Sequence, residues 1–307
     1  MMHLYRWLNT QFLILLAMGL LLFALISLAS NQAVAAEQKN SSAQLQAKYQ
    51  ALTEQLASNQ FQRPLYMNST ESSNSLKGEI YAVVEYPFST VNLALNNPSH
   101  WCEALILHIN IKYCRAAANQ QDTALTVYLG KKEEQALADA HRIDFAYRTL
   151  ASTQDYFALE LYSEQGPIGT SHYRILVEAT TLKAGRTFLH FSYGYQFGLT
   201  GKIGMQGYLS TVGKNKVGFT TAGKDANGEP TYLKGVRGIV ERNTMRYYLA
   251  IDSYLATFLI KGEDVFAQRL QHWYNSNELY QRQLHEVERN DYMAMKQREY
   301  VRQQTTP

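Results

Sequence analysis

The chain has 307 residues, 46% hydrophobic and 18% charged, with a formal net charge of +3. This is an ordinary composition for a globular protein, sufficient to bury a core in one or two domains. The mild positive balance gives no ground for a nucleic-acid partner, which needs Lys and Arg clustered on one face.

Residues 1–36 read as an export signal. Arg6 supplies the positive start, Phe12 to Leu28 is apolar apart from Gly19 and Ser27, and Ala33-Val34-Ala35-Ala36 offers small residues for cleavage. The alternative is an uncleaved inner-membrane anchor, although the apolar run is short for a bilayer of ~30 Å at ~1.5 Å per residue. The expected location is the periplasm, an oxidising compartment.

Residues 37–75 follow as an N-terminal helix and a polar linker. Leu45, Tyr49, Leu52 and Leu56 form one helical stripe that needs a partner surface, and MNSTESSNS, 67–75, reads as the linker. From Leu76 the period becomes two. Ile80, Ala82, Val84 and Tyr86 alternate with Tyr81, Val83 and Glu85 until Pro87 ends the strand. Phe88, Val91 and Leu95 then share a helix face, Asn96-Asn97-Pro98 stops it, and Ser99 is placed to cap a second short turn through Trp101.

Further strands follow. Leu125, Val127 and Leu129 share one face, as do Ile143, Phe145, Tyr147 and Thr149, and then Phe157, Leu159 and Leu161. Tyr173, Ile175, Val177 and Ala179 lead through a turn to Leu189, Phe191, Tyr193, Tyr195 and Phe197. KVGFTTAG, 216–223, reads as a last strand, and the glycine-rich GKIGMQG, 201–207, as a turn or flexible gate, since it lacks the Gly-Lys-Ser/Thr ending of a phosphate loop. The connections are mostly short, so the sheet is expected to be antiparallel.

Helical period returns in 241–260, where Met245, Tyr248, Leu249, Leu255, Phe258 and Leu259 mark an apolar face. After Gly262, Phe266, Leu270, Trp273, Asn277, Tyr280, Leu284 and Val287 keep a four-three spacing. That spacing fits either a coiled-coil seam or a helix laid on its own domain.

The expectation is therefore an α+β fold: an antiparallel β-sheet of about seven strands gripping a long C-terminal helix, with extra N- and C-terminal helices. The order of elements resembles the helix-grip fold of the START and polyketide-cyclase-like superfamily. EIYAVVEYPFSTVNLALNNPSHW, 79–101, and RNTMRYYLAIDSYLATF, 242–258, carry the resemblance. It implies a domain over 76–262, followed by a helical extension over 263–307, and a cavity between helix and sheet. Its members mostly hold lipids, sterols or other apolar ligands there.

No G-x-S-x-G, His-Glu-x-x-His or Cys-x-x-Cys motif occurs, so no catalytic residue, metal site or cofactor is expected. His108 and His190 each sit on the less apolar face of a strand, at the surface or a cavity edge. Tyr193, Tyr195 and Tyr248 are candidate ligand-binding residues because tyrosine joins apolar area to a hydroxyl. Arg237 and Arg246 are candidates for an oxyanion because a guanidinium matches it bidentately, although arginines at a helix start also serve structural ion pairs, such as Arg237 with Glu241. The expected function is a periplasmic binding or carrier protein for an apolar or amphipathic small molecule. The alternative is a structural or interaction protein whose flanking helices bind a partner, with a homodimer or partner contact through 263–304 and proximity to a membrane as further expectations.

WCEALILHINIKYC, 101–114, holds both cysteines. A strand over 105–114 would separate its ends by ~30 Å at ~3.3 Å per residue, and the three residues back to Cys102 recover at most about 11 Å. A disulfide needs Cα atoms within ~7 Å, so an unbroken strand and a Cys102–Cys114 bond exclude each other. Two thiols in an oxidising compartment favour the bond. The helical turn must then run past Trp101 and the chain must double back near His108.

Overall fold

The computed structural model describes residues 41–118, 123–262 and 264–305. The segment read as an export signal lies outside the described residues, and no helix among them is long and apolar enough to cross a membrane. The chain divides into two units, 1–47 and 48–307. The described part of the first is helical, and everything below concerns the second.

Eight strands build one antiparallel sheet: β1 (Leu65–Glu71), β2 (Ser75–Val84), β3 (Ile111–Ala118), β4 (Thr123–Leu129), β5 (His141–Ser152), β6 (Tyr156–Gln165), β7 (Thr170–Thr181) and β8 (Thr187–Phe197), in the order β1-β2-β8-β7-β6-β5-β4-β3. Two of these, β1 and β3, lie outside the expected seven, whose last, 216–223, is absent from the sheet; β1 occupies much of the stretch read as a linker. Leu65, Met67 and Ser69 are buried and alternate with Tyr66 and Asn68. The period-two signal was hidden because its third inward position is a serine, buried because its hydroxyl donates to Glu241 at 2.6 Å.

One face of the sheet carries Ile80, Ala82, Leu159, Leu161, Val177, Leu189 and Phe191, all buried in the main core. Across it lies α5 (Gly235–Thr257), burying Val240, Met245, Leu249, Ile251 and Leu255. The helix comes so close to β2 that a Cβ on Gly78 would lie 2.1 Å from the Thr244 hydroxyl. A glycine is required there because any side chain would lift the helix off the sheet. The architecture is α+β, a large antiparallel sheet gripping a long helix.

At one end of that sandwich sit α2 (Phe88–Leu95) and α3 (Pro98–Leu105). The cap of α3 is Asn97, one step before the Pro98–Ser99 pair: its Oδ1 accepts from the Ser99 N–H at 3.0 Å, and Pro98 takes the first helical position, where no N–H is needed. On the opposite sheet face, α1 (Thr53–Ala57) extends a helical run from 48, and the Tyr49 ring packs 5.1 Å from Phe188. The stripe of Tyr49, Leu52 and Leu56 thus finds a partner in its own chain, with the two leucines buried.

Two other stretches differ from the sequence reading. GKIGMQG lies within a helix, α4 (Leu199–Ser210), despite three glycines. KVGFTTAG joins no strand of the main sheet. Only Thr221–Lys224 is extended, as β9, paired with β10 (Pro230–Tyr232) in a separate ribbon. Val217 and Phe219 are buried as loop anchors, with the Phe219 ring 5.7 Å from Phe61 and 5.4 Å from Tyr280.

The C-terminal residues form α6 (Val265–Glu278), α7 (Gln281–Leu284) and α8 (Arg289–Thr305). Phe266, Leu270, Trp273, Asn277, Tyr280 and Leu284 are all buried by the chain itself. Trp273 Nε1 donates to the Arg246 carbonyl at 3.2 Å, and the polar member of the stripe, Asn277, donates to its own helix at Trp273 O, 2.7 Å. The four-three spacing is that of a helix laid on its own fold.

Candidate ligand cavity between helix and sheet

Along the N-terminal half of α5, beside its close contact with β2, the helix stands away from β7 and the end of β8. They enclose two adjoining lobes, of 310 Å³ and 490 Å³. The walls come from α5, β7, β8, α4, the turn before β7 (Pro167 and Ile168), the turn before β3 (His108 and Asn110) and the loop after β4.

Tyr193 and Tyr195, two of the candidate ligand-binding residues, line the larger lobe. Tyr173 on β7 and Tyr247 on α5 join them, with Tyr173 stacked on Tyr195 at 5.1 Å and Tyr193 5.1 Å from Tyr247. Burial holds the hydroxyls of Tyr193 and Tyr247 above the usual phenol range, so both are neutral.

Arg246 lines the smaller lobe, but Arg237 and Tyr248 line neither. The helix period is the reason. Ile239, Arg242, Asn243, Arg246 and Tyr247 follow the i, i+3, i+4, i+7, i+8 stripe that faces the cavity, and 237 and 248 lie off it. Arg237 reaches back to β1, donating to Ser69 O at 2.9 Å. Tyr248 is buried elsewhere, with the Arg63 guanidinium 5.4 Å over its ring. The stripe was hard to see because three of its five positions are polar.

The expected Arg237–Glu241 ion pair does not form. Glu241 is fully buried and accepts from Ser69 Oγ, from the Phe219 and Thr220 N–H groups at 2.6 and 2.9 Å, and from Thr220 Oγ1 at 2.7 Å. It joins α5 to β1 and the loop before β9.

The cavity's charged side is built from distant segments. Arg246, 2% exposed, donates to Glu286 at 2.6 Å. The same carboxylate takes Lys132 at 2.7 Å and Lys216 at 3.2 Å. Burial opposes ionisation of Glu286, but Arg246, Lys132 and Lys216 outweigh it and hold its pKa at about 2. Burial, reinforced by Arg246, pushes Lys132 down to about 8. Arg242 donates to the Val217 carbonyl at 3.1 Å.

His108 is fixed by the cysteine segment. Cys102 on α3 and Cys114 on β3 are joined, with Cα atoms 5.1 Å apart, and the chain reverses through 106–110. The carbonyls of this reversal are satisfied from outside: Tyr292 donates to Leu107 O at 2.8 Å, Lys296 to His108 O at 3.2 Å and Ile111 O at 2.6 Å, and Lys112 to Ile109 O at 3.3 Å. Both lysines are fully buried and share Glu299. The His108 ring stacks on Tyr247 at 4.2 Å, and its Nδ1 accepts from the Asn110 N–H at 3.2 Å. Burial and the surrounding cations, Arg246 first, hold its pKa well below the ordinary histidine value, so the ring is neutral with its proton on Nε2. His190, by contrast, is on the outer sheet face, buried between Glu178 at 2.7 Å and Glu79 at 3.3 Å and stacked on Tyr81.

Lys132 and Tyr247 were missed as members of the cavity, and Glu286 as the acid behind Lys132, while His108 lies at a cavity edge, one of the two places the sequence left open for it. Nothing in local spacing marks Lys132 or Glu286, since loops after β4 and α7 bring them together. Among the described residues, no group of His, Cys, Asp and Glu is arranged to hold a metal ion.

No family model matches the chain, and no curated protein matches it. Among solved structures it is similar to truncated norcoclaurine synthase from Thalictrum flavum, at 8% identity over 63% of this chain and 99% of that one, TM-score 0.37. It is also similar to the Zhui aromatase/cyclase from Streptomyces sp. R1128, at 12% identity over 68% and 95%, TM-score 0.32. A third is human StAR-related lipid transfer protein 5, at 8% identity over 55% and 90%, TM-score 0.30.

Proposed function

We propose that the chain is a periplasmic binding or carrier protein for an apolar or amphipathic small molecule held between α5 and the sheet. The observation that carries this reading is the cavity itself. It joins an apolar wall of Tyr173, Tyr193, Tyr195, Tyr247 and Met205 to polar groups such as Asn110 and Asn243, and a concave site of apolar surface with placed polar groups is the common form of a small-molecule site. Burying an alkyl chain of about eight methylenes there is worth up to ~6 kcal/mol at ~0.8 kcal/mol each, before the cost of immobilising the ligand. The apolar N-terminal run and the disulfide support an exported protein.

Native mass spectrometry of the protein purified from its own periplasm tests the reading. A retained lipid-sized mass is the expected result. Ligand-free protein that also takes up no added amphiphile would sink it.

A further inference from the structure

We propose that the ligand carries an oxyanion head group, a carboxylate or a phosphate, seated in the smaller lobe against Lys132, Arg242 and Arg246. This rests on the cavity being the binding site and names the chemical class of its occupant.

The first argument is charge. Lys132, Arg242 and Arg246 all line the smaller lobe, and Lys216 stands behind them on Glu286. Among the described residues, Glu286 is the carboxylate that Lys132, Lys216 and Arg246 share. Arg242 reaches a backbone carbonyl instead of an acid. The nearest acid on the larger lobe, Asp139, is solvent-exposed. A cluster in which two buried arginines and two half-buried lysines have one carboxylate among them is costly unless a further negative charge completes it. The strain shows on Lys132, whose pKa is pushed down by burial and then by Arg246.

The second argument is unmatched donors. Arg246 Nε and His108 Nε2 are buried without a hydrogen-bond partner among the described residues. Both side chains line the cavity, one at each lobe, and Asn110 and Asn243 line both lobes between them. With Nδ1 of His108 occupied as an acceptor, its Nε2 is a donor, and Arg246 Nε is a donor by nature. Orphaned buried donors are rare in native proteins, and here they lie beside excess positive charge. An oxyanion in the smaller lobe lies on the side of Arg246, while the His108 donor faces the larger lobe that the rest of the ligand would fill.

Isothermal titration calorimetry of the full disulfide-bonded chain with decanoate, decyl phosphate and decanol tests the proposal. The expected result is that at least one anion binds about tenfold or more tighter than the alcohol, the scale of a charge-assisted hydrogen bond. The tighter of the two anions distinguishes a carboxylate ligand from a phosphate. Lys132→Gln should reduce the anion-to-alcohol ratio several-fold, and Lys132→Arg should keep the ratio. Equal binding of all three overturns the head-group assignment but leaves the cavity reading standing. Binding of none overturns the reading beneath it.

Discussion

The two halves of α5 solve different problems. From Leu249 to Thr257 the helix is sealed. Its serine and threonine are short and bond back to their own helix, Ser253 to Leu249 O at 2.7 Å and Thr257 to Ser253 O at 3.1 Å, and Asp252 is neutralised by the Arg63 guanidinium at 2.8 Å, so packing closes around all three. Trp101 of α3 is buried at this end, with Nε1 donating to Leu95 O at 2.8 Å. From Ile239 to Tyr247 the inward positions include Arg242, Asn243 and Arg246, long polar groups that reach beyond the helix for partners and hold space open beside the sheet. One helix thus acts as a core element over one half and as a cavity wall over the other, and the distinction lies in the reach of its polar side chains.

The sharpest way to break that contrast is to damage the sealed half. Trp101→Ala removes a large buried ring and a satisfied N–H, and should cost about 3–5 kcal/mol by urea denaturation. Ligand affinity of the molecules that remain folded should stay unchanged, because the cavity lies at the other half. A matching loss of affinity would show that the halves are not separable.

Next is the boundary between them. Cys102→Ser with Cys114→Ser opens a short loop and should cost ~3 kcal/mol. The turn carrying His108 and Asn110 then keeps its bonds to α8, through Tyr292, Lys296 and Glu299, and to Gly130 through Asn110, but loses its covalent tie to α3. Here the double variant should weaken ligand affinity as well as stability, unlike Trp101→Ala. Titration calorimetry on the same preparations separates the two outcomes.

The sealed half and most of the sheet were legible in the sequence because their signals are periodic. Leu189, Phe191, Tyr193 and Tyr195 announce β8, and Leu249 and Leu255 announce the apolar face of α5. The redox argument and the reach of an extended chain together pointed to the disulfide and the reversal near His108. The open half was poorly legible for a physical reason: a cavity wall substitutes polar side chains into the apolar stripe, so the pattern that marks a face is lost where the face is functional. Tyr247 and not Tyr248 lines the cavity, and Arg242 and not Arg237 stands beside Arg246 there. Strand β1 was missed for a similar reason, its inward Ser69 being buried by a bond to Glu241. Lys132 and Glu286 carry no local signal at all.

Acid titration sharpens the contrast further. Glu286, at the open half, has a folded pKa of about 2, below the ordinary 4.5. A depressed carboxylate contributes stability that is fully present above its unfolded pKa and is lost as pH falls through the folded one. Glu79 on the outer face, hydrogen-bonded first to His190 and also to Lys77, is likewise at about 2. Urea midpoints should therefore fall between pH 4.5 and pH 2. Glu286→Gln should start lower at neutral pH and fall less steeply, because its share of the slope is gone. An unchanged slope would mean that the cation cluster does not hold this carboxylate.

The smallest expected effect concerns how a ligand gets in. Helix α4 carries Gly201, Gly204 and Met205 on the cavity side, while Leu199 and Ile203 are 76% and 60% exposed on the other. Each interior glycine costs a helix up to ~1 kcal/mol relative to alanine, so α4 is the wall least committed to its conformation. At Gly207 an added Cβ meets no atom within 4 Å, so Gly207→Ala tests helix stability without filling the cavity. Chain stability should rise by about 0.5–1 kcal/mol. If α4 must loosen to admit a ligand, the association rate in stopped-flow fluorescence should drop a few-fold while the cavity walls stay the same. An unaltered rate would place entry elsewhere on the rim, and the glycines of α4 would then serve close packing, with Gly201 against the Gly169 carbonyl at 3.0 Å as the contact that requires one.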